Sequence, residues 1–415
     1  MIVRVASTAV ALVSALVLAR ELGPSGYGSY AAAIALVAAL AQPGALGLDL
    51  LGVRETAIRS QAGEWATLRG LYRVGGALVL AVAAVLAIAA AGVAELGGDS
   101  ALARDVQLAL PLLPLVALTL VLAGGLQGLQ RATGSLVASI LAPRVAFLAA
   151  IAVALVTTTG LSSRTAVLLQ VGAGLAGLAL AVVLLVRALP PEARRAPRRP
   201  PPAGWLRASL PLGLATGLTI ASWHVSTLAA GTLGSSTEAG LYAAAAQASV
   251  LLVILFEAVR TPFAPMVARL WATEEHQRLQ RGVTAATRRL FLATAVAFAA
   301  LAVVAEPLLG LFGEGFEEGA GALRLVCLAQ LVNAATAFNG LVLTMTEHQD
   351  AVARASVAAF VATVAALVAL VPSLGAEGAG LALLAGTVLR NVQNTVQAFR
   401  LTGLDTTAVG AWSRA

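Results

Sequence analysis

Ten residues able to do chemistry lie in or beside long apolar stretches of this 415-residue chain: Arg20, Asp49, Arg144, His224, Glu257, Arg260, Asn333, Arg390, Asn394 and Gln397. An ionised side chain at the centre of a bilayer costs at least about 2.5–3.5 kcal/mol, so each ionisable residue there is a functional candidate by default. Arg144 follows Pro143, which frees a backbone carbonyl and kinks a helix. Its guanidinium can serve as a fixed cation in a wet cavity, or snorkel to headgroups, or cap the freed carbonyl. Arg390, Asn394 and Gln397 stand at i, i+4 and i+7, on one helix face with Asn391 and Gln393 beside it. That face is too polar for lipid; it lines a cavity or a polar seam between helices. His224 reads as a buried neutral imidazole or as a protonatable group. Glu257 and Arg260 are three apart and can pair on one face, as an ion pair or a gate. Asp49 and Arg54 allow a similar pair, although Arg54 also reads as a topology charge. Gln330, Asn333 and Asn339 put polar groups in one further segment, for contacts between helices or with a ligand. No catalytic residue, cofactor motif or metal-ligand set is expected. Cys327 is the single cysteine, so an intrachain disulfide is excluded.

The elements that position these residues follow from composition. The chain is 59% hydrophobic and 11% charged, against about 25% charged in soluble domains. The apolar runs are long and rich in Ala, Leu and Val, which excludes the alternating pattern of a membrane β-barrel. The fold class expected is an all-α polytopic membrane protein, because helices satisfy their own backbone in lipid. About twelve spans are expected, near 2–20, 27–48, 72–94, 106–128, 135–158, 165–187, 207–231, 239–260, 290–312, 321–345, 351–372 and 377–399. All 27 basic residues are arginine. They cluster in alternate loops, which places both termini on the cytoplasmic side of a plasma membrane. The isoelectric point near 10.8 therefore reports topology, and no nucleic-acid partner is expected. Two amphipathic segments, 54–73 and 264–289, are expected to lie in the interface. The Pro- and Arg-rich stretch 188–206 reads as a solvated linker, with a specific anionic-lipid site as the lesser reading. It separates bundles 1–187 and 207–415.

The halves share a phrase. LGPSGYGSYAAAIA contains Gly28 and Tyr30; LGSSTEAGLYAAAAQA contains Gly240 and Tyr242, 212 residues on. Six helices separate the copies, so the repeat is parallel. Duplicated parallel halves of this kind are a transporter architecture, with the substrate site between them near the midplane and alternating access by rocking; the central cavity between two six-helix bundles is what the resemblance below implies.

Three stretches carry a resemblance: LARELGPSGYGSYAAAIALVAALAQPGALGLDLLGVRETA, ALRLVCLAQLVNAATAFNGLVLTMTEHQDAVARASVAAF, and GAEGAGLALLAGTVLRNVQNTVQAFRLTGL. They resemble the polysaccharide transporters, the O-antigen-flippase-like branch of the multidrug/oligosaccharidyl-lipid/polysaccharide (MOP) exporter superfamily. The resemblance implies a non-enzymatic flippase that moves a lipid-linked oligosaccharide across the plasma membrane, on a polyprenyl-phosphate type of carrier. It implies membrane lipids and a pathway's glycosyltransferases or glycan polymerase as partners. Arg144, Arg390 and His224 would then meet phosphate, and Asn333, Asn394 and Gln397 would meet sugar. Lipid II flippases, which are similar, have a cavity-facing Arg where Arg20 stands. A cation-coupled drug exporter is a second reading; it calls for a deep acid, whereas the deep charges here are Arg144 and Arg390. A membrane-embedded glycan polymerase or ligase is a third, disfavoured by short outer loops. Nucleotide-binding and metalloprotease motifs are absent.

Overall fold

The computed structural model describes residues 2–96, 100–157, 160–197, 199–200 and 204–410. No strand occurs among them, and the chain is a polytopic all-α membrane protein, as expected. Contacts divide it into two compact units, Met1–Leu228 and Ala229–Ala415.

Unit 1 contains α1 (Ile2–Gly44), α2 (Leu48–Gln61), α3 (Trp65–Leu96), α4 (Ala101–Ala109), α5 (Leu112–Gly128), α6 (Ala132–Leu136), α7 (Ala142–Thr157), α8 (Ser163–Ala188), α9 (Pro191–Arg195) and α10 (Trp205–Ala229). As one straight rod, α1 would be about 65 Å long, twice the hydrocarbon core. It instead breaks at Gly23, whose φ of 65° only glycine adopts cheaply. The two legs reproduce the first two expected spans. A π-helical turn, Val137–Leu141, joins α6 to α7 just before Pro143. Small residues bring helices together: side chains at Gly124 and Gly128 would run into the backbone of α2, and one at Gly125 into Tyr72. The Tyr72 hydroxyl lies 2.6 Å from that of Thr56.

The segment 54–73 is therefore not one interfacial helix. It is the end of α2, a turn at Gly63 and the start of α3, and α2 buries Leu48, Leu51, Gly52 and Thr56. The unit boundary also falls one helix later than residue 206. Gly213 on α10 meets Gly47, and Gly217 meets Pro43, so α10 packs with the first unit.

Unit 2 opens on a π-helical turn, Ala230–Gly234. It continues with α11 (Ser236–Ala272), α12 (His276–Val303), α13 (Ala305–Gly310), α14 (Ala320–Ala335), α15 (Asn339–Met345) and α16 (Gln349–Thr402). The 54-residue α16 is a hairpin of two legs broken at Gly375, φ 52°. The Glu238 carboxylate accepts the Ala376 N–H at 2.5 Å, capping the second leg. Pro265 and the arginines that follow do not form a separate surface helix. The segment 264–289 is the end of α11, the turn Thr273–Glu275 and the start of α12. Its apolar face joins a core of Val267, Leu270, Leu279, Val283, Leu290, Phe338 and Leu404.

Seven helices of the described residues are long and apolar enough to cross a membrane, with α14 and α15 a further pair bent by 45°. Both copies of the repeated phrase bury their tyrosine, Tyr30 and Tyr242. The Tyr30 hydroxyl donates to Gln170 at 3.1 Å, and its ring stacks on Phe147 at 6.0 Å.

The chain beyond α16 folds back. The Gln280 side-chain amide donates to the Asp405 carbonyl at 2.7 Å and accepts the Asp405 N–H at 2.8 Å. The Ala408 N–H then reaches the Ala335 carbonyl at 3.0 Å.

Candidate functional site

In unit 2 the tenth expected span is interrupted at Thr336–Phe338, between α14 and α15. A helix end inside an apolar layer leaves carbonyls and amides to satisfy. Polar side chains converge on this break. Asn333 Oδ1 accepts from Arg390 Nη2 at 3.2 Å and from Asn391 Nδ2 at 2.8 Å. Asn391 Oδ1 accepts from the Thr336 hydroxyl at 2.8 Å and from Asn339 Nδ2 at 3.1 Å. Asn339 Nδ2 also faces the Thr395 hydroxyl at 3.3 Å, and Asn333 Nδ2 donates to Gln330 at 3.1 Å. Two buried atoms of the cluster, Gln330 Nε2 and Asn394 Oδ1, have no hydrogen-bond partner among the described residues. The network is a half-buried guanidinium seated on an amide ladder, with one donor and one acceptor unspent.

Of the expected site residues, the structure brings Arg390 and Asn333 into direct contact and puts Asn394 one turn along the same face. Gln397, a further turn on, is half-buried. Thr336, Asn391 and Thr395 complete the ladder; sequence reading noted only Asn391, and the Thr336 break has no Gly or Pro to signal it.

In unit 1, Arg144 is half-buried on the first turn of α7, after the π-helical turn. It has no hydrogen bond or ion pair among the described residues. Pro143 packs where a side chain at Gly177 would otherwise stand. His224 is half-buried on α10 and makes no hydrogen bond among the described residues. Arg20 is exposed at the end of the first leg of α1. Glu257 and Arg260 are on α11, but their side chains lie outside the described residues.

The Asp49 expectation needs correction. Its Oδ2 accepts from Gln42 Nε2 at 2.8 Å, while Arg54 is exposed. Asp49 sits in the first turn of α2, where the helix dipole favours a carboxylate without an arginine.

One deep acid was not singled out from the sequence. Asp105 on α4 is 1% exposed, with Ser163 at its carboxylate. Arg104 and Arg164 lie close enough to act on its charge. It stands just before the expected span 106–128, so it read as a loop residue. No cluster of metal-ligating side chains occurs among the described residues.

The fold is similar to solved transporters of the MOP superfamily. An inward-facing multidrug resistance MATE family transporter matches with a TM-score of 0.73 at 13% identity, over 95% of this chain and 94% of that one. The lipid II flippase MurJ, in an inward closed conformation, matches with a TM-score of 0.70 at 11% identity, over 95% and 86%. A MOP superfamily transporter from Pyrococcus furiosus, described as having a binding pocket of reverse polarity, matches at 0.65 and 14%, over 96% and 93%. No curated protein sequence matches the chain. Residues 1–271 match the profile of the polysaccharide biosynthesis protein family, about two thirds of the chain. That span holds all of unit 1, with its broken α1 and its Arg144, and the chain is accordingly a member of the polysaccharide biosynthesis protein family.

Proposed function

We propose that this protein is a transporter that moves a lipid-linked oligosaccharide across the plasma membrane, with twelve crossings and both termini cytoplasmic. The observation that carries the reading is Arg144: a guanidinium in an apolar span with no partner among the described residues. Such a cation is costly unless something anionic visits it, and a lipid-linked sugar presents phosphate. Arg390, held on the amide ladder, supplies a second cation, and the unspent Asn394 acceptor suits a hydroxyl-rich glycan. Family membership supports the polysaccharide context, and glycosyltransferases or a glycan polymerase are the partners such a pathway provides.

The test is made in a strain lacking the gene. Lipid-linked glycan should build up on the cytoplasmic leaflet, out of reach of an external probe, and return to the surface on complementation. Glycan that reaches the outer face normally but stays unpolymerised sinks the reading.

Asp105 favours a second reading, a cation-coupled exporter, because a buried carboxylate is what such coupling requires. If Asp105→Asn removes a proton- or sodium-dependence of transport while anionic glycan export is absent, that reading replaces the first.

A further inference from the structure

The stretch 188–206 takes no part in the transport site proposed above, and it is not a solvated string. Leaving α8, whose last turn carries Arg187, the chain forms α9 and buries Ala193 to 1% exposure. The Arg69 guanidinium on α3 donates to the Ala196 carbonyl. The Arg199 N–H donates to the Ala66 carbonyl at 3.1 Å. At Gly70 a side chain would run into the Arg199 carbonyl, so glycine lets the chain lie against α3. An arginine spent on a backbone carbonyl and a glycine kept for close approach make a docked strap.

The strap presents Arg195 and Arg199 to solvent, and Arg187 at the end of α8 and Arg73, one helical turn on from Arg69 and Gly70 on α3, are exposed too, all without a side-chain partner among the described residues. Glu192 is the one acid among the described residues of the strap. Trp65 opens α3 and Trp205 opens α10, half-buried, with the Trp205 ring next to Gly75. Indoles at span ends mark headgroup depth. The cations thus stand on a fixed frame where the apolar span ends, which is where phospholipid phosphates lie.

We propose that the docked strap and the start of α3 form a seat for anionic membrane phospholipid, its phosphate held by Arg73, Arg187, Arg195 and Arg199. The seat is distinct from diffuse attraction because it depends on the strap being held, through Arg69 and Gly70, as much as on charge.

The experiment uses the full chain in neutral phosphatidylcholine nanodiscs doped with phosphatidylglycerol, counting retained phosphatidylglycerol by native mass spectrometry. Arg195→Gln with Arg199→Gln should lower retention about fivefold per arginine. Arg281→Gln with Arg289→Gln, an equal charge loss at exposed positions of α12, should leave it within twofold. Gly70→Val keeps every charge and should lower retention as much as the strap double variant. Equal losses from the strap and α12 variants overturn the proposal, as does wild-type retention in a folded Gly70→Val protein. If Gly70→Val does not fold, the two arginine pairs decide between seat and diffuse charge.

Discussion

Arg144 in unit 1 and Arg390 in unit 2 both sit in apolar helices, but their surroundings differ. Arg390 donates to Asn333, which Asn391 also holds, and the ladder continues to Thr336 and Asn339. Arg144 follows a π-helical turn and a proline and meets no hydrogen-bond acceptor among the described residues. Unit 2 meets the cost of its guanidinium inside the protein. On the function proposed above, unit 1 leaves that cost to the substrate's phosphate, so one arginine would be a positioned part of the frame and the other an open charge.

The comparison breaks first at Arg144. Arg144→Ala should reduce glycan export by ten- to a hundred-fold, the worth of about 1.5–3 kcal/mol for a hydrogen bond to a charged group. Its melting temperature in detergent should stay at the wild-type value. Wild-type export by this variant removes the open-charge reading. Arg390→Ala should lose export too, but with a lowered melting temperature, because it takes a donor from Asn333.

How far the sequence foretold this contrast depends on the residue. The charged and polar positions were legible because arginine and asparagine stand out in apolar spans. Gly23 and Gly375 mark hairpin corners that span lengths alone had required. The Thr336–Phe338 break was not legible: Thr-Ala-Phe contains no breaker, and the interruption is sustained by side chains arriving from α16, over fifty residues on. Pro and Arg indicate the exposure that most of the strap's described residues have, but not its docking, which rests on one carbonyl from Ala196 and one from Ala66. The segment 264–289 reads from the sequence as one amphipathic stretch. It is divided between two long helices joined by a three-residue turn.

Sharper tests act on the frame. Asn391→Leu removes the hub of the ladder and leaves Asn333 and Asn339 short of partners. It should destabilise unit 2 by about 1–3 kcal/mol, read as a lower melting temperature with unit 1 proteolysis unchanged. If the melting temperature does not move, the ladder is not what holds the break. The smallest effect is expected in unit 1. Tyr30→Phe loses one bond to Gln170, worth about 0.6 kcal/mol in a membrane protein, while keeping the stack on Phe147. A larger drop would mean that the repeated Gly-x-Tyr phrase has a heavier duty than packing.

The return of the chain after α16 has a practical consequence. Ala408 closes the carbonyl left open at the Ala335 break, and Gln280 grips Asp405 on the way. A purification handle or fluorescent reporter fused close behind Gly410 would tug on the interrupted helix itself. Such a fusion should be slower or less stable than one fused at the other end, and a flexible spacer should restore it. Assays of this protein are best built with the label elsewhere.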